Sequence, residues 1–224
     1  MKIPPWSYSS LTAFETCPRQ YQELRVLKNY VQGDTEATIW GKEVHSDLEL
    51  RIKDDAPLPE RSSKWEPIAA KIAAMKDKGA TVLTEQKFTI DKDFVMTSWE
   101  SPAAWARCII DAAVIDSKNE TATLLDWKTG KRKPSTQLMM SAALVMHHYS
   151  VNVVNTGFVW LKDGKMDKEK FTRDQLPEIW NEFLPRVKRL EIAYDTDTWP
   201  VRPSGLCKQW CPVLSCKFNG KNGR

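Results

Sequence analysis

The sequence has little of what marks a secreted or membrane protein. Among its 224 residues, no apolar run approaches the ~18 to 20 residues that a membrane-spanning helix needs. The N-terminal stretch MKIPPWSYSS has no apolar core, so we expect no secretory signal. There are only five cysteines, and an odd number without a signal argues against a secreted disulfide framework. Metal binding, catalysis or plain burial are the roles left for them.

Internal repeats, low-complexity linkers and the phosphate-binding motif G-x-x-x-x-G-K-[ST] are missing as well. We therefore expect one domain without helicase activity of its own, so that any unwinding of a duplex would come from a partner. A hydrophobic content of 42% with 28% charged residues excludes a disordered chain. The net charge of +4 permits a polyanionic partner without requiring one.

Apolar periodicity predicts an alternation of helices and strands. The predicted helices cover residues 9–30 (capped by Ser9 or Ser10), 36–53, 65–78 (ended by Gly79), 135–149 (entered through Pro134) and 175–194. The predicted strands cover residues 81–90, 94–99, 105–116, 121–127 and 151–161. This order is typical of a single α/β or α+β domain, followed by an irregular tail of about 30 residues.

The stretch CIIDAAVIDSKNETATLLDWKTG, residues 108–130, predicts a hairpin with an acidic face. A turn centred between Lys118 and Asn119 places Asp111 opposite Asp126, with Cβ atoms roughly 4.5–5.5 Å apart. Strand alternation adds Lys128 to the same face. Two opposed carboxylates repel unless a cation such as Mg²⁺ lies between them, and metal-assisted phosphodiester hydrolysis would use all three groups. The alternative is a solvated Asp-x-Lys pair, which the apolar neighbours disfavour.

Residues 111–128 have the pattern D-x14-D-x-K and resemble the PD-(D/E)XK nuclease superfamily. The resemblance is closest to its RecB-like branch, which includes CRISPR-associated RecB-type exonucleases and iron–sulfur exonucleases of phage and eukaryotes. Four further segments resemble motifs of that branch: SYSSLTAFETCPRQY at 7–21, GKEVHSDLE at 41–49, LDWKTG at 125–130 with Trp for the usual Tyr, and QLMMSAAL at 137–144 with Ser for the usual Tyr.

The resemblance covers residues 7–216 and implies a fold. That fold is α/β, with a restriction-endonuclease-like core in which helices flank a central mixed sheet. Within one nuclease domain, 1–224, it implies a helical N-terminal part at 1–79, a catalytic core at 80–195 and a cysteine-stapled tail at 196–224.

The resemblance also implies roles for the residues that match the motifs. The implied set is Asp111 and Asp126 as metal ligands, Lys128 as the catalytic lysine, His45 as a further ligand or close neighbour of the metal, Gln137 as the group that orients the lysine or the substrate backbone, and the Trp127 carbonyl facing the metal. The residues alone leave other interpretations open, because a lone histidine can be a core or surface residue and Gln137 can simply begin a helix. Glu85 is either a third acid of the site or an exposed partner of Lys87.

Cys207, Cys211 and Cys216 form a C-x3-C-x4-C group in the irregular tail, where a metal centre could supply the missing folding energy. Cys17, in CPRQY, is the candidate fourth ligand, and Cys108 is interpreted as a buried apolar residue. Four thiolates suit a 4Fe–4S cluster or Zn²⁺, and the alternative is four free thiols. The resemblance implies a structural 4Fe–4S cluster.

The run KTGKRK follows the acidic hairpin, and Lys131, Arg132 and Lys133 either contact DNA phosphates or form a solvated loop. Trp99 and Trp105, on either side of the SPAA turn, are core residues or a stacking platform for a base.

Together these features predict a Mg²⁺- or Mn²⁺-dependent DNA exonuclease that acts on single- or double-stranded ends. The resemblance implies the cytoplasm of a bacterium or of a phage-infected host. It also implies a place in phage recombination, DNA repair or CRISPR DNA processing, with recombination, helicase or CRISPR adaptation proteins as partners and no membrane. The alternatives are an endonuclease with the same site and a non-catalytic, cluster-stapled DNA-binding module.

Overall fold

The structure is a computed structural model, which describes residues 3–132 and 135–221. The chain divides into two compact units. The larger unit is Thr35–Asn181, and the smaller one draws on both ends of the chain, up to Asp34 and from Glu182 onward. None of the described helices combines the length and the apolar character that crossing a bilayer requires.

The larger unit is built on a five-stranded mixed sheet in the order β1-β2-β3-β4-β5. The strands are β1 Thr81–Ile90, β2 Ala106–Asp116, β3 Thr121–Lys128, β4 Val153–Trp160 and β5 Lys165–Thr172. Only β3 and β4 pair in parallel, and the other three pairings are antiparallel. This confirms the predicted α/β class with a central mixed sheet.

The α-helices are α1 Tyr8–Thr16, α2 Pro18–Tyr21, α3 Glu36–Asp54, α4 Glu66–Ala73, α5 Gln137–His148 and α6 Leu176–Thr196. Shorter helical turns cover Gln22–Val26, Glu60–Trp65, Lys76–Lys78, Arg173–Gln175 and Gly205–Cys207. The helix predicted at 36–53 is confirmed as α3, and those predicted at 135–149 and 175–194 correspond to α5 and α6. Pro134 lies outside the described residues.

Helices cover both faces of the sheet. The buried stripe of α3, Val44, Leu48 and Ile52, belongs to one apolar cluster with α4 and with Trp127. Leu138 of α5 packs instead with Phe158 and Trp160 of β4, in a second cluster. Side chains alternate along a strand, so Val159, which lies between Phe158 and Trp160, projects from the opposite face of β4. Val159 indeed packs in the first cluster.

The predicted register of the β2–β3 hairpin is confirmed where the strands pair. Ala112 lies opposite Leu125 and Asp116 opposite Thr121. The ladder between β1 and β2 is interrupted between the pairs Thr84↔Ala112 and Gln86↔Ile110. The residue of β1 at this interruption, Glu85, has a left-handed backbone with φ of 45°.

The single helix predicted at 9–30 is wrong. Helix α1 ends at Thr16, and Cys17 is extended with φ −161° and ψ 106°. Proline disfavours the helical region for the residue before it, so Pro18 accounts for the break. The predicted caps Ser9 and Ser10 are also wrong, because Ser7 caps the helix and Ser10 completes its capping box.

The strand predicted at 94–99 is wrong as well. Oδ1 of Asp91 accepts hydrogen bonds from the N–H groups of Asp93 and Val95, both at 2.9 Å, which forms a turn in place of a ladder. Met96 alone makes an isolated bridge, to Ile90. The helix predicted at 65–78 is divided into α4 and a 3₁₀ turn, although Gly79 ends it as predicted, with φ of 81°.

Strand β5, KMDKEKFT, was not predicted. Three of its eight residues are lysines, so the strand lacks the apolar alternation that predicts a half-buried strand. It is one of the two edge strands of the sheet, where lysines are common because they oppose pairing with other chains.

The smaller unit has an aromatic core. Tyr21 stacks on Trp199 with ring centres 6.0 Å apart, and Phe14 and Tyr194 contact the same Trp199 ring edge-on. Such ring pairs add to the apolar area that they bury.

Two leucines of α3 provide a matched stability test. Leu48 is 0% exposed and Leu50 is 46% exposed. Leu48→Ala should lower the free energy of unfolding by about 2.7–5 kcal/mol, because it leaves a cavity in a packed core. Leu50→Ala should change it by less than about 0.5 kcal/mol. Urea denaturation followed by circular dichroism measures both, and equal effects would contradict the assignment of the buried stripe.

Candidate active site

Each of the three neighbouring strands β1, β2 and β3 places one carboxylate at the interruption in the sheet. The β2–β3 ladder stops one pair before Asp111 and Asp126, which were predicted to lie opposite each other. The N–H of Trp127 donates instead to Oδ2 of Asp111, at 2.7 Å. Glu85 occupies the corresponding position of β1. At this point of the hairpin the Asp111 side chain takes the place of a backbone acceptor for the N–H of Trp127.

Helix α3 brings His45 to these acids. Its Nδ1 lies 3.6 Å from Oδ2 of Asp111 and 4.0 Å from Oε1 of Glu85. Its Nε2 lies 3.0 Å from the carbonyl oxygen of Trp127. Gly41, one turn earlier, leaves room for Thr129, which follows β3, because a Cβ at residue 41 would be 3.0 Å from Oγ1 of Thr129.

The site has a donor set that fits a divalent cation. One ligand atom each from His45, Glu85 and Asp111 lies within 4.8 Å of the others. Carboxylate oxygens with one imidazole suit Mg²⁺ or Mn²⁺. The structure thus brings together His45 and Asp111, two of the predicted ligands, with Glu85, whose role the sequence left open.

Asp126 lies beside this group but is engaged elsewhere. Its Oδ2 is 2.6 Å from Nζ of Lys128, and its Oδ1 accepts a 2.6 Å hydrogen bond from Nε2 of Gln137. Nζ of Lys128 in turn donates to Oε1 of Gln137, at 3.0 Å. The ring of Phe158 lies 5.2 Å from the same ammonium. Lys128 is therefore held in one position by a carboxylate, an amide and an aromatic ring.

Burial and the repulsion between carboxylates disfavour the charged forms of Glu85 and Asp126. Burial and the nearby Asp111 carboxylate raise the pKa of Glu85 to about 7. Burial and Asp111 also raise the pKa of Asp126, against the opposing effect of Lys128. Burial works against a charged His45, but its hydrogen bond and attraction to Asp111 prevail and raise its pKa. A bound cation would relieve this repulsion.

The basic run beyond β3 is only partly available for a ligand. Lys131 is exposed, and Lys133 lies outside the described residues. Nε of Arg132 donates to Oδ2 of Asp167 at 2.7 Å, and the Trp160 indole donates to the same oxygen. The charge of Arg132 is therefore partly neutralised within the protein.

The predicted cluster cysteines all belong to the smaller unit. Burial raises the pKa of the Cys211 thiol, and its proximity to Cys207, Cys17 and Cys216 raises it further. Cys108 belongs to the larger unit, and burial raises the pKa of its thiol.

Glu85 shows what the sequence could not specify. Its membership of the site depends on a left-handed backbone conformation, which glutamate does not favour. No residue type in TEQKFTI marks that conformation. The only signal was its acidic side chain on a strand next to the hairpin.

The sequence model of the PD-(D/E)XK nuclease superfamily matches residues 5–216 of the chain. Among solved structures, a candidate exonuclease from Eubacterium rectale is 14% identical, with a TM-score of 0.53, 97% of this chain and 88% of that chain covered. An alkaline exonuclease from Laribacter hongkongensis is 12% identical, with a TM-score of 0.34, 69% of this chain and 95% of that chain covered. No curated protein is recognisably similar to the chain in sequence.

The donor set predicts metal-dependent stability. Mn²⁺ or Mg²⁺ at 100 times its Kd should stabilise the protein by about 2.7 kcal/mol, because it binds the folded state. Asp111→Asn should abolish most of this increment, whereas Asp116→Asn, at the far end of the same strand, should retain it. Thermal unfolding over a series of metal concentrations measures the increment. An undiminished increment in Asp111→Asn would contradict the site.

Proposed function

The chain belongs to the PD-(D/E)XK nuclease superfamily, and from that premise we propose that it is a Mg²⁺- or Mn²⁺-dependent exonuclease that hydrolyses phosphodiester bonds from DNA ends. The observation that carries the proposal is the position of Lys128. Its ammonium contacts Asp126 and Gln137, and Asp126 in turn lies close enough to Asp111 and His45 for their charges to affect its pKa.

Each of these residues has a role that follows from its contacts. His45, Glu85 and Asp111 would hold the cation, with the Trp127 carbonyl facing it and Asp126 completing the acidic site. A divalent cation bound there would act as a Lewis acid toward a phosphate group. Lys128 would stabilise negative charge that develops on the phosphate, and Gln137 would keep the ammonium in place.

The type of nuclease that we propose is an exonuclease. It is supported by the segments that resemble motifs of RecB-like exonucleases and by the Eubacterium rectale protein, which shares the fold and is described as a candidate exonuclease. Lys131, Arg132 and Lys133 would contact the DNA backbone. Recombination, repair or CRISPR processing, a helicase partner and a cytoplasmic location remain predictions.

A cleavage assay tests the proposal on end-labelled linear DNA and closed circular DNA, with Mg²⁺, Mn²⁺ or EDTA. Lys128→Ala should reduce the rate about 10²- to 10³-fold, the loss typical when one charge-stabilising group is removed. Lys118→Ala, in the exposed turn of the same hairpin, should retain full activity.

The products separate the alternatives. Degradation from ends alone supports the exonuclease, and cutting of the closed circle would favour the endonuclease. Absence of metal-dependent cleavage, or an unchanged rate in Lys128→Ala, would reject the catalytic proposal and favour a DNA-binding module.

We also propose that Cys17, Cys207, Cys211 and Cys216 hold a 4Fe–4S cluster with a structural role. The presence of all four cysteines in the smaller unit supports this, as does the resemblance to iron–sulfur exonucleases. Zn²⁺ is the alternative centre.

The cluster should colour the protein. Anaerobically purified protein should be brown, with an absorption band at about 400 nm that reductant bleaches. Cys211→Ser should lose the band, and Cys108→Ala should keep it, because Cys108 belongs to the other unit. A colourless protein that holds one equivalent of zinc would contradict the iron assignment.

A further inference from the structure

One exposed part of the larger unit combines two cations with an aromatic ring. Nζ of Lys87 lies 5.2 Å from the centre of the Trp99 ring, and Cζ of Arg107 lies 4.6 Å from it. We call Lys87, Trp99 and Arg107 the cationic platform. Trp105, the other tryptophan beside the SPAA turn, packs against Phe94 in an aromatic cluster.

The platform lies on the strands that carry the acids of the site. Phe88 of β1 lies opposite Cys108 of β2 and packs its ring against His148 of α5. Lys87, Arg107 and Ile109 alternate with these two residues and therefore project from the other face of the sheet, where His45 of α3 contacts Asp111. Lys87 pairs with Ile109, which is two residues from Asp111 along β2, and Arg107 lies two residues further along the same strand. At ~3.4 Å per residue, the Cα atoms of Arg107 and Asp111 are about 14 Å apart. Ile109, which lies between Asp111 and Arg107 along β2, is 43% exposed.

Acidic side chains of the described residues do not neutralise the two cations of the platform. Within the described part of the chain, neither Lys87 nor Arg107 forms an ion pair with an acidic side chain, in contrast to Arg132. The Trp99 ring restrains both side chains through cation–π contacts without cancelling their charge. The platform is thus a pair of positioned cations beside a site whose own side chains are mainly acidic.

We propose that the cationic platform binds the phosphate backbone of the DNA strand whose end occupies the Asp111 site, with Trp99 as the positioning residue. The inference rests on the proposed function for the direction of the strand. In a stacked strand, successive phosphates rise about 3.4 Å along the axis and lie farther apart than that through space, so 14 Å spans at most about four phosphates. The platform therefore selects strands that extend a few nucleotides beyond the cleaved bond.

Binding in EDTA tests the platform without cleavage. The full-length protein is titrated into a fluorescein-labelled single-stranded 12-mer at several salt concentrations, and anisotropy is measured. The double variant Lys87→Gln/Arg107→Gln should bind at least about 10-fold more weakly at low salt. Its slope of log K against log salt should fall by about 1.4, because each lost phosphate contact contributes about 0.7 for single strands.

The control is Lys78→Gln/Lys118→Gln, which removes the same charge from two exposed positions elsewhere. A platform variant with the slope and affinity of this control would overturn the proposal. Trp99→Leu should weaken binding about 2- to 5-fold, the equivalent of a cation–π contact, and Trp99→Phe should restore it. A Trp99→Leu variant with wild-type affinity would remove Trp99 from the proposal.

Hydrolysis separates the platform from the proposed function. The readout is the ratio of kcat/KM for the 12-mer to kcat/KM for thymidine 5′-p-nitrophenyl phosphate, which is too short to reach the platform. This ratio should fall about 10-fold or more in the platform variant and stay constant in the charge control. If the wild type cleaves DNA but the ratio is unchanged, the platform is rejected and the nuclease stands. If the wild type cleaves nothing but the salt slope still falls, the nuclease is rejected and the platform stands.

Discussion

Between β2 and β3 the N–H of Trp127 donates to the carboxylate of Asp111. This hydrogen bond fixes Asp111 at the end of a ladder, where its side chain would otherwise be free to turn. It also orients the peptide of Trp127, whose carbonyl oxygen meets His45 of α3. One bond thus connects a strand, its neighbour and the helix that covers them. The rest of the acidic site is arranged around that connection.

Much of this arrangement follows from the sequence, because it depends on periodicities. The register of the β2–β3 hairpin follows from the position of its turn, and the alternation that places Lys128 beside Asp126 follows from the register. The stripe of α3 follows from helical spacing. Such features are local, since each depends on residues within a few positions of one another.

The features that could not be predicted depend on single backbone conformations or on distant partners. The left-handed Glu85 is one, and the side-chain hydrogen bonds of Asp91, which replace a strand by a turn, are another. The break of the first helix at Cys17 is different, because Pro18 indicates it in the sequence. The apolar spacing of residues 9–30 nevertheless favoured one continuous helix. Strand β5 becomes a strand through its pairing with β4, and nothing in its charged sequence requires this.

Gln137 links the two charged groups of the site through the two ends of one amide. Its oxygen faces the ammonium of Lys128, and its nitrogen faces the carboxylate of Asp126. Glutamate has the same shape but offers an acceptor at both ends, which would oppose Asp126. Asparagine keeps the polarity but is one methylene shorter. The first residue of α5 must therefore satisfy a directional requirement, in which the order of donor and acceptor along the side chain matters as much as its size.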